Sequence, residues 1–415
     1  TLGWALATLL QGVAGFGVPV AVLAPVLVGL GLGPMAAVIL PSLGHGWAVT
    51  FGSIGNALQA MLNVTGLPVE VVALPSALLA AWAGLGCGVA ALGLCFGWRA
   101  LRAEAVPILG MAAVMGAVQV GMAGTRFWPL ASLGSGLAGL AWGLACLLVA
   151  RRPAPSHDSA APAAETFDEA SRPGPFLKAM APYGLLWLVV TAARVPLVTS
   201  WADRLAWRLP LPASVTHLGW ENPARSTVAI HPLLGTGPLV LLCALLALLW
   251  YRRQGMGSGR LIGPVRRTLL RSWRPSLAIL LLVGMGELMV GSGMTQALAK
   301  AAADALGPTF VWTVPWIGAL GALITGTNTN SNLLFARMEL EAARHLDLDL
   351  GTVMALQNVG AAVTSVLSPA KIMVGLSTVG MAGAEGTVMR RLAGPAFLIV
   401  GLVSLLALLL SLIHI

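Results

Sequence analysis

Polar side chains are concentrated at one point of an otherwise apolar segment in the second half of the sequence. The stretch Thr325–Asn332 holds three Thr, three Asn and one Ser within eight residues. Hydroxyl and amide groups can hydrogen-bond a small oxygenated anion, and polar backbone is tolerated in hydrocarbon only where protein or a water-filled cavity surrounds it. The stretch therefore predicts a solute-binding site, and close packing of small residues alone is the weaker explanation.

Three further interruptions divide apolar segments of the sequence. They are Gly12–Pro19, Phe51–Asn56 and Ser365–Ala370. Their spacing is nearly the same in both halves, because 36 residues separate Gly17 from Ser53 and 37 separate Asn328 from Ser365. Paired breaks at corresponding positions of two halves are the best sequence indication of a transporter's binding site.

The chemistry available at such breaks is that of helix N-termini, where unpaired N–H groups and the positive end of the dipole stabilise a carboxylate. Lys371, which follows the Ser368-Pro369 break, adds a candidate counter-charge. Together these groups suit a monocarboxylate that carries one hydroxyl. The predicted substrate-binding residues are Gly15, Phe16, Gly17, Ser53, Thr327, Asn328, Thr329, Asn330, Ser331, Asn332, Ser368 and Lys371.

Three ionisable residues within apolar segments are candidates for proton coupling, because each is costly in a bilayer. Glu287 is the acid deepest within a predicted span, and pairing with a basic residue is its alternative role. His45 precedes the first-half break, where a hydrogen-bonded structural role is the alternative. Arg194 lies near the end of a span and could instead extend its side chain to the interface.

The elements that must position these residues are membrane-spanning helices. Of the 415 residues, 57% are hydrophobic and only 9% are charged, and the mean hydropathy is +0.86. Soluble domains carry about 25% charged residues, so disorder, a disulfide scaffold and a cytosolic enzyme are excluded. The four Cys lack CxxC spacing, and the sequence contains no P-loop, HExxH, GxSxG or dinucleotide motif. We therefore predict no catalytic residues, no metal and no cofactor.

Apolar runs of about 20 residues, the length that crosses a bilayer, separate most of the basic residues. This pattern accounts for the net charge of +9 without a nucleic-acid partner. The predicted spans are 2–32, 34–58, 70–97, 106–123, 128–149, 180–199, 233–251, 275–298, 310–336, 351–380 and 392–413.

The distribution of charge predicts the orientation of the spans. Residues 252–274 form a loop with seven Arg and no acid, which the positive-inside rule places in the cytoplasm. Parity then makes the Pro/Ala/Ser-rich segment 150–178 a flexible cytoplasmic linker and places 200–232 outside. Arg390 and Arg391 are cytoplasmic only if 310–336 is a re-entrant hairpin.

The predicted fold class is thus an all-α polytopic membrane protein with two inverted-topology repeats. The first repeat, 1–149, contains a hairpin at 2–32 and a broken span at 34–58. The second repeat, 179–415, contains a hairpin at 310–336 and a broken span at 351–380. Hairpins that enter from opposite faces would bring the breaks together near the middle of the membrane.

The residues at the breaks also resemble a known family. Gln11–Ala21 resembles the AGFGxPVA stretch of the bacterial L-lactate permease family, and Thr325–Phe335 resembles its TGSxTSSNxLF segment. The resemblance covers nearly the whole chain and is strongest at 10–58 and 280–391. It implies a secondary transporter of the bacterial inner membrane that couples proton symport to lactate or related 2-hydroxymonocarboxylates such as glycolate. Further matching segments are Leu27–Gly31, Ala48–Gly55, Ser368–Pro369, Val379–Gly380 and Glu385–Gly386.

The sequence departs from that family at several positions. Members commonly carry an acid in place of Gln11, serine in place of Thr327 and Asn330, and Gln in place of Lys371. They also have several more spans at the N-terminus, so we expect that the chain beginning at Thr1 lacks these. The departures leave open a sodium-coupled transporter of a dicarboxylate or sulfonate. A membrane-embedded enzyme or scaffold is a further alternative, and a homo-oligomer is compatible with the sequence.

The orientation can be tested by cysteine labelling in a protein whose four native Cys are replaced. An impermeant maleimide added to intact cells should label Val215→Cys and should label Arg260→Cys only after the membrane is permeabilised, because the Arg-rich segment is expected inside. The reverse pattern would refute the assignment from charge.

Overall fold

The computed structural model describes residues 1–150, 185, 188–189, 191–193, 195–217, 220–226, 232–234, 236–253 and 259–413. The chain forms two compact units, of which the first comprises Thr1–Ala164 with Thr295–Ile415 and the second comprises Glu165–Met294. The predicted linker at 150–178 lies, from residue 151 onward, outside the described residues. The predicted repeats divide the chain by topology, and this division by compactness does not test them.

Seven helical segments within the described residues are long and apolar enough to cross a membrane. They confirm the predicted all-α polytopic class. They are Pro34–Thr65, Val69–Ala103, Ala105–Ala123, Trp128–Val149, Met294–Thr325, Leu350–Leu367 and Glu385–Ala407.

The first part of the first unit contains seven α-helices, and a single π-helical turn, Leu2–Leu6, leads into the first of them. A 3₁₀ turn at Trp47–Phe51 joins the third and fourth helices, and another at Trp128–Leu130 precedes the seventh. The helices are α1 (Ala7–Val13), α2 (Val18–Gly29), α3 (Pro34–Gly46), α4 (Gly52–Thr65), α5 (Val69–Ala103), α6 (Ala105–Ala123) and α7 (Ala131–Ala150).

The second unit contains helices α8 (Pro196–Ala202), α9 (Thr236–Arg253) and α10 (Gly259–Gly291) within its described part. Between α8 and α9, a 3₁₀ turn at Asp203–Leu205 is followed by two short antiparallel pairs, Pro210–Leu211 with Arg225–Ser226 and Ser214–Val215 with Glu221–Asn222. The side-chain amide of Asn222 donates to the carbonyl of Gly291, over 2.9 Å, and ties the strands to the end of α10.

One prediction for this unit is wrong. The Arg-rich segment 252–274 was expected to be a loop, but α10 begins at Gly259 and continues as one helix of 33 residues to Gly291. Arginine is a good helix former, so a helix can continue through basic residues beyond the length needed to span hydrocarbon. The segment's side of the membrane remains a prediction.

The remaining helices complete the first unit. A 3₁₀ turn at Gly307–Thr309 precedes the second of them, and another at Ser365–Leu367 precedes the fifth. The helices are α11 (Met294–Leu306), α12 (Phe310–Thr325), α13 (Asn328–His345), α14 (Leu350–Thr364), α15 (Pro369–Thr378) and α16 (Glu385–Ile413).

The same order of elements therefore occurs twice in the first unit. A pair of helices separated by a short break, α1–α2 or α12–α13, is followed by a helix, a 3₁₀ turn and another helix. In the second half these are α14, Ser365–Leu367 and α15. The two halves contact each other through equivalent helices. The second helix of each pair packs against the last helix of the other half, so α2 packs against α15 and α13 packs against α4.

Helix α14 lies at the centre of the first unit and packs against α5, α12, α13 and α16. Its close approach to α12 depends on Gly360, where a Cβ atom would collide with the backbone of Pro315. Small residues allow such approach in membranes, where helix association relies on van der Waals contact. The central helix thus fixes the position of the break that follows α12.

Candidate substrate-binding site

The four helix breaks of the first unit meet at one place. A Cβ atom on Gly15 would collide with the Ser53 hydroxyl, and one on Gly326 would lie 3.0 Å from the Ser368 hydroxyl. Between the halves, a Cβ atom on Gly17 would lie 3.4 Å from the backbone of Lys371. The Asn56 amide donates to the Thr329 hydroxyl over 3.4 Å. Each break therefore contacts a break of its own half and one of the other half.

Four helix N-termini converge as a result. Helices α2, α4, α13 and α15 each begin at a break, and each N-terminus carries about half a positive elementary charge. None of the four interruptions contains an acidic residue. The arrangement of backbone dipoles favours an anion at this point.

Lys371 adds a full positive charge to this site. Its side chain is only 5% exposed, and Nζ donates to the Ser365 hydroxyl over 3.0 Å. Among the described residues, no carboxylate forms a salt bridge with Lys371. A buried ammonium group is costly unless it is paired, so an anionic ligand would supply the charge partner that these residues lack.

The backbone at two breaks adopts the left-handed region. In the first, Phe16 has a φ of 54° and Gly17 a φ of 87°. At the start of α4, Ser53, Ile54 and Gly55 have φ values of 49°, 58° and 69°. This conformation costs a non-glycine residue roughly 1–2 kcal/mol, and such strain clusters at ligand clamps and switch regions. It leaves the Phe16 side chain 58% exposed and that of Ser53 half-buried.

Asn328 and Asn332 hold the start of α13 against its neighbours. Both amides donate to the buried Oδ1 of Asn358, over 2.8 Å and 3.2 Å respectively. Asn332 also donates to the Ala57 carbonyl over 3.0 Å. Because a carbonyl can only accept, this contact fixes the orientation of the Asn332 amide and, through it, that of Asn358. These donors therefore connect α13 to α14 and to α4.

The other polar residues of this stretch divide into two groups. Ser331 is buried, donating to the Gly318 carbonyl over 2.8 Å and accepting from Gln357 over 3.1 Å. Thr327 caps α13, because its hydroxyl accepts from the backbone N–H of Asn330 over 3.1 Å. Thr325, Thr327, Thr329 and Asn330 are half-buried. The Thr325 hydroxyl donates to backbone carbonyls, which leaves the other three side chains as the accessible polar groups at this break.

The three candidates for coupling are not brought together, although α3, which carries His45, packs against α15, which carries Lys371. His45 is buried in α3, where Nδ1 lies 2.6 Å from the Pro41 carbonyl and must donate to it. Glu287 lies on α10 in the second unit, with an exposed side chain. Arg194 lies outside the described residues. The predicted roles of all three remain untested.

Four functional candidates were missed from the sequence: Asn56, Gln357, Asn358 and Ser365. Gln357 and Asn358 form a polar pair in the middle of the apolar helix α14. Polar side chains inside a predicted span are functional candidates by default, and this rule would have identified both. Their helix is continuous there, so a search for breaks does not find them.

Buried polar residues at interrupted helices, within a polytopic membrane protein, define a membrane transporter rather than an enzyme. Comparison with known proteins agrees with this class and specifies it. The family model described as L-lactate permease matches residues 1–414. The chain belongs to the L-lactate permease family.

Individual relatives match over most of their length. The L-lactate permease of Bacillus subtilis is 26% identical over 424 residues, which cover 94% of this chain and 74% of the relative. The L-lactate permease of Escherichia coli K12 is 26% identical over 418 residues, covering 94% and 73%. The glycolate permease of the same strain is 25% identical over 424 residues, again covering 94% and 73%. No solved structure matches this chain.

The asparagine network can be tested by thermal unfolding in detergent. Asn358→Ala should lower the melting temperature, because it leaves two buried amide donors without their acceptor, at a cost of about 1–3 kcal/mol. Asn332→Ala combined with Asn358→Ala should cost less than the sum of the single changes, because both remove the same bond. Additive losses would show that this bond does not form.

The matched control is Asn63→Ala on α4. Asn63 is exposed and accepts from Gln59 over 2.9 Å, so its loss should change stability by only about 0.5 kcal/mol.

Proposed function

We propose that the protein is a secondary transporter of the bacterial inner membrane that moves lactate or related 2-hydroxymonocarboxylates, such as glycolate, together with a proton. The names of the relatives support this substrate class, since they include both L-lactate permeases and a glycolate permease. The observation that carries the proposal is the convergence of four helix N-termini around one buried lysine.

The charge of the site suits a single carboxylate. The four breaks contain no ionisable side chain, and Lys371 lies directly after the fourth. The helix dipoles add partial positive charge. In this proposal the substrate carboxylate lies against Lys371 and the N-termini of α2 and α15. Such a charge-assisted hydrogen bond is worth about 1.5–3 kcal/mol.

The hydroxyl and the small apolar part of the substrate are assigned to the other breaks. Thr327, Thr329, Asn330 and Ser53 offer half-buried donors and acceptors for a 2-hydroxyl group. The exposed ring of Phe16 offers apolar surface to the carbon chain. Four buried residues hold the helices that form the site: Asn328, Ser331, Asn332 and Ser368. Their replacement should lower the affinity for substrate by shifting α13 and α15.

The transport movement is assigned to two inverted repeats with re-entrant hairpins α1–α2 and α12–α13. The repeated order of elements and the reciprocal contacts of α2 with α15 and α13 with α4 support this topology. In transporters of this type the site lies near the midplane between the repeats, and one repeat moves against the other around it. Both hairpin tips would then contact the substrate from opposite sides.

A sodium-coupled transporter of a dicarboxylate or sulfonate receives no support from the relatives. A dicarboxylate would bring a second full charge to the site, whereas Lys371 is the only cationic side chain that directly adjoins the four breaks in the sequence. Burying an unpaired carboxylate costs several kcal/mol. The monocarboxylate is therefore the better match.

Uptake of labelled lactate into proteoliposomes tests the role of Lys371. Lys371→Met removes charge and donor at similar volume and should raise the apparent KM by about ten- to a hundredfold. Lys371→Gln retains a neutral donor and should have a milder effect. Lys300→Met is the control, since Lys300 is exposed and its one ion pair among the described residues is with Asp304, over 2.9 Å. An unchanged KM for Lys371→Met would place the carboxylate elsewhere.

A further inference from the structure

Helix α13 contains a buried carboxyl group that the proposed substrate site does not use. Glu339 is 0% exposed, and neither carboxyl oxygen has a hydrogen-bond partner among the described residues. An isolated carboxylate in such surroundings is too costly to keep, so the group is held as the neutral acid while it is enclosed in this way. A carboxyl group that is neutral when enclosed and ionises when water reaches it is able to carry a proton.

Within the part of the chain that the structure describes, the surroundings of Glu339 provide no counter-charge. The helices that pack most extensively against α13 are α4, α12 and α14, and none of them contains an Asp, Glu, His, Lys or Arg. On α13 itself, Arg337 and Arg344 both pair with Glu341, over 3.2 Å and 3.1 Å. His345 is the last residue of α13. Both nearby arginines are thus engaged by the neighbouring carboxylate.

Glu339 is connected to the proposed site through its own helix. Asn332 lies seven residues earlier, which places the two side chains on the same face of α13, about 10 Å apart along the axis. On this face Asn332 donates to the Ala57 carbonyl of α4, over 3.0 Å. On a different side of α13, Arg337 donates to the Val64 carbonyl of the same helix, over 3.4 Å. The face that carries Glu339 is therefore part of the region where α13 of one half meets α4 of the other.

We infer that Glu339 is the proton-binding residue that couples the proton gradient to substrate transport. This inference rests on the proposed function and names the residue that performs the coupling. The contact between α13 and α4 joins the two halves, so a relative movement of the halves would change the access of water to this carboxyl group. A proton from water on one side forms the O–H bond of the carboxyl group, and that bond breaks when the group is exposed on the other side. The substrate moves as the anion, and no other group changes its covalent state.

The test compares two transport modes in proteoliposomes containing the full chain. In one, an inward proton gradient drives accumulation of labelled lactate; in the other, lactate exchanges across the membrane without a gradient. Glu339→Gln removes the titratable proton and keeps the shape. It should lose gradient-driven accumulation, to the level that the unmodified protein shows with a protonophore, and should retain exchange.

The control is Asp304→Asn, because the Asp304 carboxylate is exposed and pairs with Lys300 over 2.9 Å; this variant should accumulate lactate as the unmodified protein does. A pH-sensitive dye inside weakly buffered vesicles gives a second measurement, because lactate should move protons with the unmodified protein and not with Glu339→Gln.

The outcomes separate the inference from the proposed function. If the unmodified protein shows no gradient-driven lactate uptake, the proposed function fails. If it does and Glu339→Gln still accumulates lactate and moves protons, the assignment of Glu339 is wrong. Loss of exchange as well as accumulation in Glu339→Gln would also overturn the assignment, because the residue would then be needed for substrate movement itself.

Discussion

The structure of the first unit depends on how interrupted helices are accommodated in a chain that is apolar almost throughout. Hydrocarbon offers no partner for an open backbone N–H or C=O group, so a break survives only where protein or an enclosed aqueous space surrounds it. In this protein the breaks surround one another. Gly15 lies against Ser53, Gly326 lies against Ser368, and Gly17 and Asn56 reach the other half of the chain.

This mutual arrangement determines both the packing and the chemistry. The central helix α14 holds α13 through Asn358. It also holds α12, the other helix of the pair α12–α13, through their close contact at Gly360. The helix N-termini that result are positive, and Lys371 increases the charge without a carboxylate partner among the described residues. Because the site is polar, positive and enclosed by apolar helices, the contacts that make the breaks tolerable are also those that we propose hold a small carboxylate.

The sequence allowed the class, the family and the positions of the polar breaks to be predicted, because Thr325–Asn332 stands out against apolar flanks. It did not allow Asn358 to be predicted, since its helix continues without interruption, nor the helical state of the Arg-rich segment that begins at Gly259. Glu339 was missed for a related reason: the apolar run was taken to end at residue 336, whereas α13 continues to His345. Polarity marks where hydrocarbon ends in a simple span, but a helix enclosed by protein can carry a buried acid.

The most direct test of the account is an experimental structure of the protein with lactate bound. The substrate carboxylate should lie within hydrogen-bonding distance of Lys371 Nζ, at the N-termini of α2 and α15, and the hydroxyl group of lactate should point toward Thr327 and Thr329. Lactate bound away from all four breaks, with Lys371 still donating only to Ser365, would contradict this prediction.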